Sequence, residues 1–309
     1  MSEIKENKKI VVIGLSGQSV FIRTDHFHQP EETIIASSIY EEVGGKGFNQ
    51  AVAIKRLGGK PYFIGSIGRD YYGKKCEECI LNEDIEYTFF KKDSQTAFAT
   101  ILRDKNGENQ VTVYQGASKE LNAEDFEEFK QCLLDANFIM LQLETPLEII
   151  KKVIELAKEN NIKVILNPAP ALKNVKEIYD DVWLLTPNFQ EMKVIFSLDE
   201  NLGVEDAIKM LPNLGNKKMI ITLGARGVCI IENGNVEFIK AFDFKAKDTT
   251  GAGDIFNGAL AVKLCEGASL KEASIFAMAA SGISVTRNFV ISSIPTRDEV
   301  DEYLNSINK

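Results

Sequence analysis

At 309 residues the chain has the length of about two domains at roughly 150 residues each, or of one large α/β domain. Its 44% hydrophobic and 26% charged residues suffice for a full core, which excludes disordered and fibrous classes. The net charge of −9 gives no general attraction to phosphate backbones or anionic lipid, so no nucleic-acid or membrane partner is expected.

The lysine-bearing first residues run straight into Ile10-Val11-Val12-Ile13-Gly14, without the apolar core or cleavage site of a signal peptide, and a cytoplasmic protein is expected. Lys9–Gly14 reads as a buried strand, as do Tyr62–Ile67, Phe138–Leu143, Lys163–Leu166, Val182–Thr186 and Met219–Leu223. Helical patterns separate most of them, such as Pro146–Glu159 with apolar residues at 147, 149, 150, 153, 154 and 156. That alternation predicts a mostly parallel sheet flanked by helices. The run Ala273 to Thr286 is too short to span a membrane and reads as a tightly packed internal helix.

Two stretches break the alternation. Residues 15–43 and 95–118 carry the strand-like runs Thr33–Ile39, Ala97–Leu102 and Gln110–Tyr114, the last two joined by Asp104-Lys105-Asn106-Gly107, a hairpin signal. These predict a small β lid, formed from two insertions, over a large nucleotide-binding and catalytic α/β domain of residues 1–14, 44–94 and 119–309. Its place would be over the carboxyl ends of the parallel strands.

Several motifs can be set aside. Five scattered cysteines do not make a disulfide framework, and Cys76-x-x-Cys79, without a second pair, reads as two helix neighbours rather than a zinc site. Gly68 to Lys75 has the spacing of a phosphate-binding loop, but Lys75 replaces the magnesium-holding Ser or Thr and two tyrosines fill the loop. No G-x-G-x-x-G follows the first strand, which removes the main support for a dinucleotide-dependent dehydrogenase.

Two glycine segments remain. Asp248-Thr249-Thr250-Gly251-Ala252-Gly253-Asp254 precedes the helical run Ile255–Leu264 and would expose backbone N–H groups at a helix N-terminus, a pocket suited to a transferring phosphoryl group. Asp254 itself reads equally as a helix cap or as a general base. Val43-Gly44-Gly45-Lys46-Gly47-Phe48-Asn49-Gln50 leads from the lid into a helix beginning near Ala51; its glycines let a ligand approach the backbone and Asn49 offers an amide to it, though the same run could serve as a hinge.

With these motifs in this order, and with Gln142-Leu143-Glu144, Asn167-Pro168-Ala169-Pro170, Thr186-Pro187-Asn188 with Glu191, and Thr222-Leu223-Gly224-Ala225-Arg226-Gly227 between them, the chain resembles a ribokinase-family, phosphofructokinase-B-type carbohydrate kinase from Val11 to about Pro295. The resemblance implies the ribokinase-like α/β fold and ATP-dependent phosphorylation of a sugar hydroxyl. It implies Asp254 as general base, with the amides of Gly251, Ala252 and Gly253 as anion hole. Gly44, Gly45, Lys46, Asn49, Glu144 and Ser19 would face the sugar, while Asn188, Thr222, Gly224, Arg226 and Gly227 would border ATP. Asn188 and Glu191 would orient Mg2+ through water. A monovalent cation, usually K+, would bind near Asp248 and the carbonyls of Thr250, Ser284 and Arg287, and a homodimer would form through the lids.

Two departures stand out. Where close ribokinases have Gly after Thr-Arg-x, this chain has Phe289, costly if the position needs a positive φ. Where ribokinases proper place an Asn and a diol-gripping Asp after the first strand, it has Gly17 and Ser19. A neutral hydroxyl contributes about 1 kcal/mol against roughly twice that for a carboxylate, so ribose is not assured. Another pentose or hexose, a nucleoside or a sugar phosphate are the alternatives, with Gln18 or Arg23 compensating, unless Arg23 is simply solvated. A nucleoside kinase of the same fold, or a non-catalytic sugar or nucleotide sensor, are the rival functions.

Overall fold

The computed structural model describes residues 9–173, 176–211 and 217–307. The expectation for the residues before Lys9 lies outside this set. Thirteen strands are formed: β1 (Lys9–Ile13), β2 (Gly17–Arg23), β3 (Ser38–Gly44), β4 (Lys60–Gly68), β5 (Glu86–Lys92), β6 (Ala97–Arg103), β7 (Asn109–Tyr114), β8 (Phe138–Leu141), β9 (Lys163–Leu166), β10 (Leu184–Leu185), β11 (Lys218–Thr222), β12 (Val228–Glu232) and β13 (Asn235–Ile239), all counted among the described residues. They form a nine-stranded sheet in the order β13-β12-β11-β10-β9-β8-β1-β4-β5 and a four-stranded one in the order β3-β2-β6-β7. In the large sheet every pairing from β11 through β5 is parallel, and β12 and β13 add an antiparallel edge.

Strand alternation sorts this sheet's side chains into two cores. Ile10 and Val12 of β1 pack into one, with the helices Lys46–Arg56, Ala252–Cys265 and Leu270–Ser284; Val11 and Ile13 pack into the other, with Ala123–Leu134 and Leu147–Glu159. With both faces buried, these strands read as unbroken apolar runs. The chain reverses direction across the sheet at β1, which has β8 on one side and β4 on the other. Segments leaving the carboxyl ends of β1, β8, β9, β10 and β11 therefore converge at such a switch point, the usual ligand cleft of an open parallel sheet. Among the described residues no helix is long and apolar enough to cross a membrane.

The small sheet differs in detail from expectation. The strand expected at Thr33–Ile39 lies at Ser38–Gly44 instead: Ile35 is 93% exposed and finds nothing to pack on, whereas 38–44 pairs with β2 along its whole length. β2 escaped notice because Gln18, Val20 and Phe21 are all buried, which blurs the alternation. β2 runs parallel to β6, so the sheet is mixed. The Asn106-Gly107 turn closes the β6–β7 hairpin, with Gly107 at φ 87° and its N–H donating to the Asp104 carbonyl at 3.1 Å. On the large domain, Cys76 and Cys79 share the helix Tyr71–Asn82, capped by Asp70, and none of the five cysteines is in a disulfide. No group of three or more potential metal ligands exists among the described residues.

Candidate active site

The helix Ala252–Cys265 begins at the centre of the cleft. Gly251 is its N-cap at φ 74°, and a Cβ there would lie 2.4 Å from Val290 Cγ1, so both backbone and space demand glycine. The Asp254 N–H donates to the Gly251 carbonyl at 2.9 Å and the Ala252 N–H weakly to the Thr249 carbonyl at 3.3 Å. Among the described residues the amides of Gly251 and Gly253 have no acceptor, and a Cβ added to Gly253 would meet nothing within 4 Å. Two unsatisfied donors at the positive end of a helix dipole make an anion site.

Asp254 stands in the first turn of this helix, 6% exposed. Its Oδ2 accepts from Asn49 Nδ2 at 2.9 Å and its Oδ1 from Gln50 Nε2 at 3.2 Å. Gln50 also donates to Asn167 Oδ1 at 3.2 Å and accepts from Gln142 Nε2 at 2.6 Å, so amides just past the ends of β8 and β9 and on the Lys46–Arg56 helix fix the carboxylate's plane. Deeper in, Asn257 Nδ2 donates to the Gly253 carbonyl at 2.8 Å, while Asn257 Oδ1 accepts from Thr186 Oγ1 at 2.5 Å. Gln50, Gln142 and Asn257 were not picked out as site residues; their signal is an amide inside an otherwise apolar run or helix.

Two cavities meet at this helix start. One is lined by Ser19, Gly44, Gly45, Lys46, Asn49 and Glu144 together with Thr250, Gly251 and Asp254, and is roofed by Phe21, Ile101, Val111 and Val113 of the small sheet. Gly45 turns the chain at φ 110°, and Ser19 Oγ would lie 2.6 Å from a Cβ on Gly44, so Ser19 and the glycines face each other. The Glu144 carboxyl is pushed up to about 7 by burial, against the pull of Lys46, whose backbone N–H it accepts at 2.9 Å. Lys46 stands among Asp254, Glu144 and Glu191; the first of these is the chief cause holding its ammonium above the usual lysine range. Asn49 Oδ1 and Gln18 Oε1 are buried without partners. Arg23 lies exposed at the far end of β2, outside this lining, so it compensates for nothing in the cavity.

The second cavity is lined by Asn188, Thr222, Gly224, Gly227, Ala252 and Gly253, with apolar walls from Phe242, Phe244, Phe256 and Met278. Arg226 is turned away from it, paired with Glu205 at 3.0 Å on the exposed side. Asn188 and Glu191 form a capping box on the helix Phe189–Ile195, each side chain accepting the other's backbone N–H at 2.8 Å. Burial raises the Glu191 carboxyl, while Lys46 lowers it and Asp254 raises it further, so this acid shares the cleft's field. One carboxylate and one amide beside a phosphate site suit magnesium, which keeps most of its waters.

The residues expected around a monovalent cation are together but differently used. The Asp248 Oδ1 accepts from Thr250 N at 3.0 Å and Thr250 Oγ1 at 2.7 Å, and Oδ2 accepts from Phe289 N at 3.2 Å and Arg103 Nη1 at 2.9 Å. The Ser284 carbonyl accepts the Arg287 N–H at 2.9 Å, and the Arg287 guanidinium pairs with Glu299. With four protein donors already on it, the Asp248 carboxylate does not fit the part of a K+ ligand. Phe289 does take a positive φ, 64°, and its ring stacks on Tyr40 and meets Phe21 edge-on.

The model of the pfkB family of carbohydrate kinases matches residues 7–297. The chain is 37% identical over 302 residues to a ribokinase of Haemophilus influenzae, covering 96% of this chain and 98% of that one. The structure superposes on a ribokinase from Thermotoga maritima with a TM-score of 0.84 at 38% identity, covering 96% and 99% of the two chains. It superposes on Arabidopsis thaliana ribokinase complexed with ribose and ATP with a TM-score of 0.83 at 27% identity, covering 96% and 98%. A cleft with a buried carboxylate on one side of a helix start and free amides on the other thus stands in a chain that belongs to the pfkB family of carbohydrate kinases and is an ATP-dependent sugar kinase.

Proposed function

We propose that Asp254 is the general base of this kinase, and that the Gly251 and Gly253 amides receive the charge on the phosphoryl group in flight. One observation carries the reading: Asp254 lines one cavity, Gly253 lines the other, and the two are consecutive residues in the first turn of one helix. A sugar hydroxyl in the first cavity gives its proton to Asp254 as its oxygen bonds to the γ-phosphorus of ATP from the second; the bond to the β-phosphate oxygen breaks and ADP leaves. Phosphoryl transfer is mainly positioning and charge stabilisation, and the amide frame around Asp254 supplies the first. Lys46, amid three carboxylates, offers the cation nearest the transferred group. Asn188 and Glu191 are the residues that would orient magnesium through its waters, and the metal would neutralise charge on the β- and γ-phosphates. Thr222, Gly224 and Gly227 border the nucleotide beside the aromatic walls, which suit an adenine.

The acceptor is a neutral sugar rather than a sugar phosphate, because the sole cation in that lining among the described residues is Lys46, already matched to Asp254, Glu144 and Glu191. Ser19, Asn49 and Glu144 provide its polar contacts and the small sheet, residues 15–43 and 95–118, acts as the lid that excludes water. β7 is an edge strand exposed along its length, with Val111 56% and Tyr114 53% accessible, and the proposed homodimer uses this lid surface; sedimentation will show a dimer if so. ADP formation is measured across free sugars, nucleosides and sugar phosphates. Asp254→Asn loses roughly 10²–10⁴-fold in kcat with nucleotide affinity kept. Near-normal turnover in the variant would remove the base, and preferred use of a phosphorylated acceptor would remove the neutral-sugar assignment.

A further inference from the structure

The loop Asp248–Thr250 runs directly into the anion-hole turn, and it is held from the lid. Arg103, the last residue of β6, gives Nη1 to Asp248 Oδ2 at 2.9 Å and Nη2 to the Lys247 carbonyl. Asn109, its cross-strand partner in the hairpin, gives Nδ2 to Thr250 Oγ1 at 3.1 Å, and that hydroxyl in turn donates to Asp248 Oδ1 at 2.7 Å. The geometry points to Arg103 as a built-in cation: a guanidinium carried by the lid stands on the carboxylate that the family resemblance sets beside a monovalent ion, so lid closure and not potassium sets the loop before the anion hole.

Three arguments carry this. The first is coordination. An ionised carboxylate accepts about four hydrogen bonds, and Asp248 already receives four protein donors, from Thr250 N and Oγ1, Phe289 N and Arg103 Nη1. The guanidinium fork also spans the neighbouring Lys247 carbonyl, pairing one charged and one neutral acceptor on consecutive residues.

The second is charge. The Asp248 side chain is 3% exposed, and a carboxylate so deeply buried requires a counter-charge. Arg103 supplies it, while the Arg287 guanidinium, the other arginine of this region, pairs with Glu299. A potassium ion beside the guanidinium would add like charge at short range.

The third is mechanical. Arg103 and Asn109 face each other at the turn end of the two hairpin strands, in which a second facing pair, Ile101 and Val111, roofs the sugar cavity. A sugar that draws the roof down therefore draws the same hairpin's end onto Asp248 and Thr250, one residue ahead of Gly251. Arg103 touches neither acceptor nor phosphate on this account. It is a positioning residue that acts through Asp248 and Thr250 on the Gly251 and Gly253 amides, and this role rests on the kinase reading above.

The test uses the full chain in potassium-free buffer, with tetramethylammonium chloride holding ionic strength constant as KCl replaces it. Wild-type turnover with ATP and its best sugar is expected to change less than twofold, and its melting temperature with ADP bound not at all. Arg103→Ala is expected to lose roughly a hundredfold in kcat, to recover at least roughly tenfold of it in KCl or in guanidinium chloride at low, non-denaturing concentration, and to gain a KCl-dependent rise in melting temperature. Arg103→Lys keeps the charge without the fork and stays insensitive to potassium. A wild-type enzyme that needs potassium overturns the inference, as does an Arg103→Ala protein that neither cation restores or stabilises. Should Arg103→Ala not fold, the wild-type titration and Arg103→Lys decide alone. Absence of ADP formation with every sugar would instead defeat the kinase reading, while the melting shifts still decide the role of Arg103.

Discussion

Replacing Phe289 by alanine and by glycine separates two terms that the native residue holds in balance. At φ 64° a side chain with a Cβ is strained by about 1–2 kcal/mol. Against this, the ring stacks on Tyr40 at 3.6 Å between centroids with 16° between planes, and meets Phe21 at 5.4 Å and 69°. Each such pair contributes about 0.5–1.5 kcal/mol beyond its buried area, so the two together supply roughly 1–3 kcal/mol and offset the strain. Alanine keeps the strain and loses both rings, and is expected to destabilise by about 2–4 kcal/mol, somewhat under the cost of deleting a fully buried Phe. Glycine loses the same rings but releases the backbone, so it should be about 1 kcal/mol more stable than alanine. Urea unfolding read by circular dichroism gives the order from the midpoints at unchanged slope. Because Tyr40 and Phe21 belong to the lid, the sugar KM should rise in both variants. Alanine as stable as glycine, or as wild type, would refute the strain argument.

Two further outcomes can be checked with the same protein. Burial lifts Glu144 from an ordinary 4.5 to about 7 in the folded chain, so this group favours folding fully below about pH 4.5 and the contribution is lost as pH rises through 7. That is about 3 kcal/mol over the window, and Glu144→Gln should flatten the fall in melting temperature between acid and neutral pH; a parallel fall in both proteins would contradict the burial assignment. Gly251→Ala places a Cβ 2.4 Å from Val290 Cγ1 at a φ of 74°, and should lose about 10²–10³-fold in kcat, as for loss of one oxyanion donor, with Asp254 untouched; activity within threefold of wild type would show that the turn need not be held by glycine.

The doubly buried strands were legible because nothing but apolar residues can occupy both faces of a central strand, as in Ile10-Val11-Val12-Ile13. Edge strands were harder: β5, with its mixture of Tyr, Phe and Lys half buried, and the exposed β13 carry no comparable pattern. Thr33-Ile34-Ile35 had the composition of a strand without a partner, and pairing with β2 overrode propensity a few residues later. The same division holds in the site. Gly44, Asn49, Gly251 and Asp254 were readable because backbone approach and helix-end chemistry are local properties. Gln50, Gln142 and Asn167 become a network only where the carboxyl ends of two strands meet a helix, and Arg103 on Asp248 requires the small-sheet hairpin to fold over a loop far along the chain. No local pattern encodes such a meeting.

The proposed base and the proposed lid are anchored to different parts of the molecule, and that separation constrains how closure can act. Asp254 is fixed from below by Asn49 and Gln50, which belong to a helix packed against the large sheet. The lid instead grips the two loops that flank the helix start: Arg103 and Asn109 hold 247–250, and the Glu42 carboxylate accepts from Val290 N at 2.7 Å and Ile291 N at 3.1 Å. Val290 is also the residue against which Gly251 is packed. Closure therefore presses on the anion-hole turn from both sides while leaving the carboxylate where the amide frame put it. A sugar that fails to bring the lid down meets a correctly placed base but an unassembled phosphate site. Selectivity can then be expressed in the transfer step as well as in binding, and water, too small to draw the roof down, gains little from the base alone.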